Sequence, residues 1–351
     1  HTIGKSSIAA EHITKRKPEW FLVYGDKKYF DPGNKDAQQF VVNVVRDIVK
    51  RYPVDAIHMD DYFYPYRIAG KEFPDAASYA RSGSTLNKED WRRSNVDSII
   101  VAISKAIKEE NKQVRFGISP FSVWRNQDKD PRGSDSRAGQ TNYDDLYADI
   151  LLWLEKGWID YVTPQLYWEH GHALADYDEL VQWWNDHTYG KALYIGHGIY
   201  RAGTTSTWRD PNEIPYQIKK LRSLPNTGGS VYFSSNSFKN NANGWNDSLQ
   251  NNYYKNPALL PSLVPQYTMA APNIEKKTNT SYQINMPKNA LIKSFAIIQK
   301  EEGKYSVAGI LAADSKMVNL NALGIQRKTS IQYWLIAIGL QNQISDYIPL
   351  P

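Results

Sequence analysis

Cysteine is absent from all 351 residues, which excludes disulfide bonds, thiol nucleophiles and thiolate metal sites. The seven histidines show no metal-ligand spacing. Only His170 and His172 lie close together, flanking Gly171, and a solvated loop accounts for them as well as a clamp on an ion does. No metal and no cofactor is therefore expected. Nowhere do about 18 apolar residues run uninterrupted, as a membrane span requires, and the first residues carry no signal-peptide pattern. The chain reads as soluble and as shortened at its start. Lys and Arg are scattered and the net charge of +5 is mild for this length, so nucleic acid is not an expected partner.

Aromatic residues, by contrast, are plentiful at 13%, with 11 Trp and 24 Tyr. Flat rings stack on the C–H faces of sugars, whose hydroxyls then bond at the edges. Many of these rings must nonetheless serve cores.

From Asp55 to about Tyr254 one rhythm repeats: a short apolar strand, a polar and aromatic loop, an amphipathic helix. That rhythm predicts parallel α/β structure. Strands are expected at Ala56–Asp60, Val114–Pro120, Tyr161–Tyr167, Ala192–Ile199 and Gly229–Ser234. Val96, Ile99, Ile100, Ile103 and Ile107 fall on one helical stripe. Leu146, Ile150, Leu151 and Leu154 fall on the next, with Gly157 closing that helix. An earlier helix, Ala37–Tyr52, is read with Phe40, Val44, Val45 and Ile48 inward. Five such units fall short of the eight in a closed (β/α)8 barrel. The opening region looks like a small hairpin, so the expectation is a TIM-type barrel whose first strand-helix units are missing from this chain. An open α/β sheet is the alternative. Beyond Pro257, the residues Pro257, Pro261, Pro265 and Pro272 punctuate a run without helix, and period-2 alternation follows. The expected domains are residues 1–268, barrel-like, and 269–351, a small β-sandwich with Tyr333–Ala337 as its central strand.

The most informative stretch is Val54–Tyr66, where an apolar strand ends in Asp60 and Asp61 and an aromatic cluster follows. Polar groups at the C-terminal end of a barrel strand face a cleft. Neighbouring strand side chains point to opposite faces, so at most one of the pair is expected to point straight into the site. Turn or cap residues are the plainer reading of an Asp-Asp pair, but Tyr62, Phe63, Tyr64 and Tyr66 beside it favour a sugar site. Two adjacent, partly desolvated carboxylates tend to raise one pKa of the pair, so that one carboxyl stays protonated near neutral pH, as glycosidic acid catalysis needs. Asp61 is taken as acid or nucleophile with Asp60 as partner, the reverse assignment remaining open.

The strings Ile57-His-Met-Asp-Asp-Tyr-Phe-Tyr-Pro65, Asp90-Trp-Arg-Arg93, Phe116-Gly-Ile-Ser-Pro-Phe121, Tyr143-Asp-Asp-Leu-Tyr-Ala-Asp149 and Pro164-Gln-Leu-Tyr-Trp168 resemble the glycosyl-hydrolase-like 10 family over roughly residues 17–262. The resemblance implies a TIM-type barrel at the bacterial cell envelope, periplasmic or lipid-anchored, cleaving peptidoglycan glycan strands stripped of peptide. It also implies that the first three strand-helix units precede this chain. The tail from Ala271 resembles a fibronectin type III module, through which envelope proteins are possible partners. The Ile-x-x-Asp-Asp pattern also resembles chitinase-type enzymes, where a substrate N-acetyl group is the nucleophile and a Tyr orients it; Tyr167 holds a comparable strand end.

Other strand ends supply candidate sugar contacts: Ser119, Trp124 and Arg125; Gln165, Tyr167, Trp168 and Glu169; His197 and Tyr200. Glu169 reads equally as a spare acid or a structural carboxylate. His58, with Tyr62 and Tyr64, joins the candidates, though a satisfied core histidine explains His58 as readily. Trp91, Arg92 and Asn95 open a helix, where capping and ion pairing suffice. Two other functions stay in play: a carbohydrate-binding barrel without catalysis, and an envelope scaffold.

Overall fold

The computed structural model describes residues 8–262, 269–287 and 290–351. Pro265 and the expected junction at 268 fall outside the described residues. The chain divides into two compact units, residues 1–243 and 244–351.

The first unit begins with an antiparallel hairpin, β1 (Phe21–Tyr24) and β2 (Lys27–Phe30), turned at Gly25 with φ 66°. Helix α1 (Lys35–Arg51) starts where the Asn34 side chain accepts from the Ala37 N–H at 3.0 Å. It buries Val42, Val45 and Val49 and leaves Val44 and Ile48 exposed, so the inward stripe is rotated from the expected one. The sequence offers apolar residues on both sides of this helix, and partner surface decides between them. Strand β3 (Ala56–Met59) follows. Helix α2 (Lys88–Glu110), capped by Asn87, buries Val96, Ile100, Ile103 and Ile107 as its periodicity requires. Arg46 of α1 pairs with Glu109 at 2.6 Å and Glu110 at 3.0 Å, tying the two helices together.

Strand β4 (Arg115–Ile118) leads through a long loop to helix α3 (Ile150–Glu155). The helix expected to include Leu146 is broken at Tyr147, whose φ is 53°, and restarts with Asp149 as its cap. Then come β5 (Tyr161–Val162), β6 (Gln165–Leu166), α4 (Tyr177–Asp186), β7 (Ala192–His197), α5 (Glu213–Arg222) and β8 (Thr227–Tyr232). β5 and β6 both pair with β7, as two halves of one strand interrupted at Thr163 and Pro164. Proline lacks the N–H a ladder needs, so the interruption is local. Every pairing from β3 to β8 is parallel, in the order β3, β4, β5/β6, β7, β8. Among the described residues neither β3 nor β8 has a second neighbour, so the sheet is open rather than a closed eight-stranded barrel. Phe116, Ile118, Val162, Leu166, Leu193 and Ile195 bury completely between the sheet and its helices.

The second unit is an antiparallel β region. β9 (Asn273–Lys276), β10 (Ser281–Asn285) and β13 (Met317–Asn319) form one sheet, and β11 (Ile292–Glu301), β12 (Lys304–Ala312), β14 (Gln332–Gly339) and β15 (Ile348–Pro349) the other. β11 and β12 turn on two residues of positive φ, Glu302 and Gly303. Tyr282, Ile284 and Val318 of the first sheet share one core with Phe295, Ile297, Leu335 and Ala337 of the second. β14 is buried on both faces, since Ile336 and Ile338 join a second cluster with Ala296 and Ile298. Among the described residues no helix is long and apolar enough to cross a membrane.

Candidate active site

Strands β3 to β8 all run the same way, so their carboxyl ends gather at one rim. There a groove of about 280 Å³ is lined by Asp60 and Asp61 after β3, Phe121 after β4, Gln165, Tyr167 and Trp168 at β6, Tyr200 and Arg201 after β7, and Phe233 after β8. Tyr62 and Tyr66 complete it, edge to face at 6.1 Å.

The two acids face different surroundings. Asp60 is exposed; its Oδ1 accepts from the Asp61 N–H at 2.9 Å and from Gln165 Nε2 at 2.6 Å. The Gln165 amide also donates to the Ser119 carbonyl at 3.0 Å, so its orientation is fixed by two acceptors. Asp61 is 4% exposed, and its Oδ2 accepts from the Tyr66 hydroxyl. Burial pushes the Asp61 carboxyl up from 3.8 to about 6, the Tyr66 bond opposes this, and the Asp60 charge adds to it.

Tyr167 stands across the groove. Its ring stacks on Phe233 at 6.0 Å and meets Tyr200 edge-on at 5.7 Å. Gly198 makes this possible: a Cβ there would lie 2.9 Å from the Tyr167 Cβ. Among the described residues the Tyr167 hydroxyl has no hydrogen-bond partner, while burial beside Asp60 raises its pKa. Trp168 is held by Nε1 donating to Ser122 Oγ at 3.0 Å.

Behind the acids, the loop to Asp75 is fastened to α2 by Arg92. Its buried guanidinium donates to Asp75 at 2.7 and 2.8 Å, to Glu72 at 2.5 Å and to the Tyr147 hydroxyl at 2.8 Å. The rings of Tyr64 and Tyr147 lie against it at 5.5 and 4.9 Å.

Several expected contacts lie elsewhere. Tyr64 is 1% exposed, packed between Phe73 and Tyr147, and belongs to the core. Trp124 is wholly buried, stacked on Trp183 with Nε1 donating to Asp149. Arg125 is spent on Asp144 at 2.9 Å and Asp130 at 3.5 Å. Ser119 donates to the Thr163 carbonyl, bracing two strands. Glu169 accepts from Trp208 Nε1 at 2.6 Å instead of entering the groove. His197 is wholly buried between Gln217 and Ser230, and burial lowers its pKa to about 4, so it is a neutral core histidine. His58 bonds the Tyr161 hydroxyl at 3.1 Å and lines a different hollow.

That hollow, about 420 Å³, lies between the free side of β3 and helices α1 and α2, walled by Val41, Met59, Ile99 and Ile103. It shares Asp60 and Tyr62 with the groove but is otherwise largely apolar. The smaller groove is where both acids and the strand-end rings meet. The sequence reading missed Phe121, Arg201 and Phe233 as groove residues, and counted Tyr66 only as one of the aromatic cluster. Phe121 and Phe233 lie just past strands, a position that signals them; Arg201 sits on a short turn after β7 that no periodicity marks. Among the described residues no group of three potential metal ligands comes together.

Fold and groove define an α/β protein with a paired-carboxylate, aromatic-walled cleft at the carboxyl ends of parallel strands. Residues 5–212 match the glycosyl hydrolase-like 10 family, and the chain belongs to it. It is 40% identical over 334 residues to glycosyl hydrolase YngK of Bacillus subtilis (strain 168), covering 93% of this chain and 64% of that protein. To glycosyl hydrolase DigH of Escherichia coli O6:H1 it is 38% identical over 225 residues, covering 61% of this chain and 51% of DigH. The chain thus spans between half and two thirds of these relatives' length. Among solved structures, alpha-L-fucosidase isoenzyme 2 from Paenibacillus thiaminolyticus aligns at TM-score 0.40 and 12% identity over 69% of this chain and 36% of that one, a likeness too slight to bear on fold or chemistry.

Proposed function

We propose that the protein is a glycoside hydrolase acting on an N-acetylhexosamine polymer of the bacterial envelope, namely peptidoglycan glycan strands without stem peptides. The observation that carries this reading is the Asp60–Asp61 pair in an aromatic groove, with Asp61 held near pKa 6 beside the more exposed Asp60. A carboxyl that keeps its proton near neutrality can give it to the leaving glycosidic oxygen. As the C1–O bond breaks, its electron pair stays on that oxygen and the proton of Asp61 joins it. The acetamido carbonyl of the sugar closes on C1, and the Tyr167 hydroxyl, which has no partner among the described residues, orients that group. Water then attacks C1 as the bond between C1 and the acetamido oxygen breaks, and its proton returns to Asp61. Asp60, fixed by Gln165, stabilises the positive charge that develops.

The parallel units are read as consecutive staves of a (β/α)8 barrel, and the C-terminal unit as a fibronectin type III-like module that docks envelope proteins. Its three- and four-stranded sheets sharing one core support the latter.

The test is digestion of peptide-free glycan strands by the complete protein as its gene encodes it, against Asp60→Asn and Asp61→Asn. Shortened glycans are expected from the unmutated protein, with a loss of roughly 100- to 10,000-fold in Asp61→Asn. Tight glycan binding without cleavage would replace this reading with a carbohydrate-binding one; no binding at all would leave the scaffold.

A further inference from the structure

The groove contains a cation for which the described chain supplies no anion. Arg201 closes the short turn Ile199–Arg201 after β7 and lines the groove that holds Asp60 and Asp61. Its guanidinium carbon lies 5.2 Å from the centre of the Trp168 ring and 5.7 Å from that of Trp208. Both indoles are pinned, Trp168 through Ser122 and Trp208 through Glu169. The guanidinium is therefore held half-buried against fixed rings rather than waving in solvent.

Elsewhere in the same unit four other ring-packed arginines are paired, while a fifth, Arg115 against Tyr161, also lacks an ion pair among the described residues but does not line the groove that holds the acids. Arg92 has Asp75 at 2.7 Å, Arg93 has Asp90 at 2.5 Å, Arg125 has Asp144 at 2.9 Å and Arg132 has Asp130 at 3.0 Å. Among the described residues no carboxylate reaches ion-pair distance of Arg201, and none of its side-chain N–H groups finds an acceptor. A partly desolvated guanidinium with five unspent donors is costly unless something else supplies the oxygens. Its fork matches the two oxygens of a carboxylate, the anionic group that an acidic sugar carries.

We propose that Arg201 binds a free carboxylate carried by the substrate sugar, so that the groove selects glycans with an acidic substituent next to the bond presented to Asp61. This rests on the glycan-cleaving reading above and gives it a specificity. In peptidoglycan the lactyl carboxylate is tied up as an amide while the stem peptide remains, and is set free only when that amide is hydrolysed. A neutral amide offers a guanidinium one oxygen and no charge. The reaction that supplies this substrate is then an amide hydrolysis, and Arg201 is the residue that senses whether it has occurred.

The experiment compares peptide-free glycan strands with the same strands after their carboxylates are reduced to alcohols. Binding is measured by titration calorimetry in the Asp61→Asn background, which prevents turnover, with and without Arg201→Ala and, separately, Arg201→Gln. Cleavage of both glycans by the otherwise unmutated protein is followed in parallel. Without an Arg201 change, the carboxylate form is expected to bind about 10- to 100-fold more tightly. Both Arg201 variants should bind the two forms equally, at the affinity shown for the reduced strands. No preference for the carboxylate form overturns the proposal. So does a preference that survives in both variants, or an equal loss for both glycans in Arg201→Gln, which marks a packing role. A carboxylate preference that both Arg201 variants abolish, without any cleavage by the unmutated protein, upholds Arg201 and fails the hydrolase reading alone; absence of binding to either glycan sinks both.

Discussion

Asp61 is predicted to make the fold weaker at the pH where it is ionised, so replacing it with Asn should stabilise the protein while removing its proton donor. Its folded pKa, about 6, lies above the ordinary 3.8. Between those values the folded chain holds a proton that the unfolded chain releases, so stability falls as pH rises through the window and the loss is complete above it. Roughly two pKa units at about 1.36 kcal/mol each give a penalty of about 3 kcal/mol at pH 8, shrinking to under about 1 kcal/mol at pH 4. Asn is neutral throughout and still offers an oxygen to the Tyr66 hydroxyl. His197 works the other way: burial lowers its pKa from 6.5 to about 4, so it costs stability as pH falls through that range. The raw curves also carry the histidine and other shifted groups such as Asp97, whereas the difference between variant and parent cancels those that the substitution leaves unchanged. Denaturant unfolding of both at pH 4, 6 and 8 should show Asp61→Asn ahead by about 3 kcal/mol at pH 8 and nearly level at pH 4, or roughly 5–10 °C in the first transition at the higher pH. A difference that stays flat with pH, or a variant weaker at pH 8, refutes the burial argument.

If Asp61 must carry a proton to act, kcat/KM on peptide-free glycan should decline as pH rises past about 6, and a profile level from pH 5 to 8 would exclude it as the acid. Tyr167→Phe removes a hydroxyl that nothing in the described chain uses, so unfolding free energy should move by less than about 0.5 kcal/mol while turnover drops roughly 10- to 100-fold. Equal losses in both would make that hydroxyl structural. Gly198→Ala would set a methyl 2.9 Å from the Tyr167 Cβ and 3.2 Å from its Cα, costing about 1–3 kcal/mol and displacing the ring, measurable by denaturation together with glycan affinity.

Most of the scaffold was legible because parallel α/β units advertise themselves: apolar strands ending in polar loops, helices striped at 3.6. The stripe of α2 lies where its isoleucines put it, and the acid pair sits at a strand exit, as a break from apolar to charged residues indicates. Depth was not legible. Tyr64, Trp124 and His197 have the chemistry of cleft residues and the burial of core residues, and only packing from remote elements distinguishes these fates. The same limit misplaced the inward face of α1, where valines and an isoleucine surround the axis. Charge partners such as Arg92 and Asp75, 17 residues apart, depend on a loop path that no local period encodes.

Arg92 gives the acid-bearing loop an unusual response to heat. Hydration of charged groups becomes less favourable as temperature rises, so the desolvation penalty carried by a buried ionic clasp shrinks on warming. The clasp is also shielded from dissolved salt, since little solvent reaches it. The segment presenting Asp60 and Asp61 should therefore keep its alignment in warm or briny surroundings after looser surface loops have begun to fray.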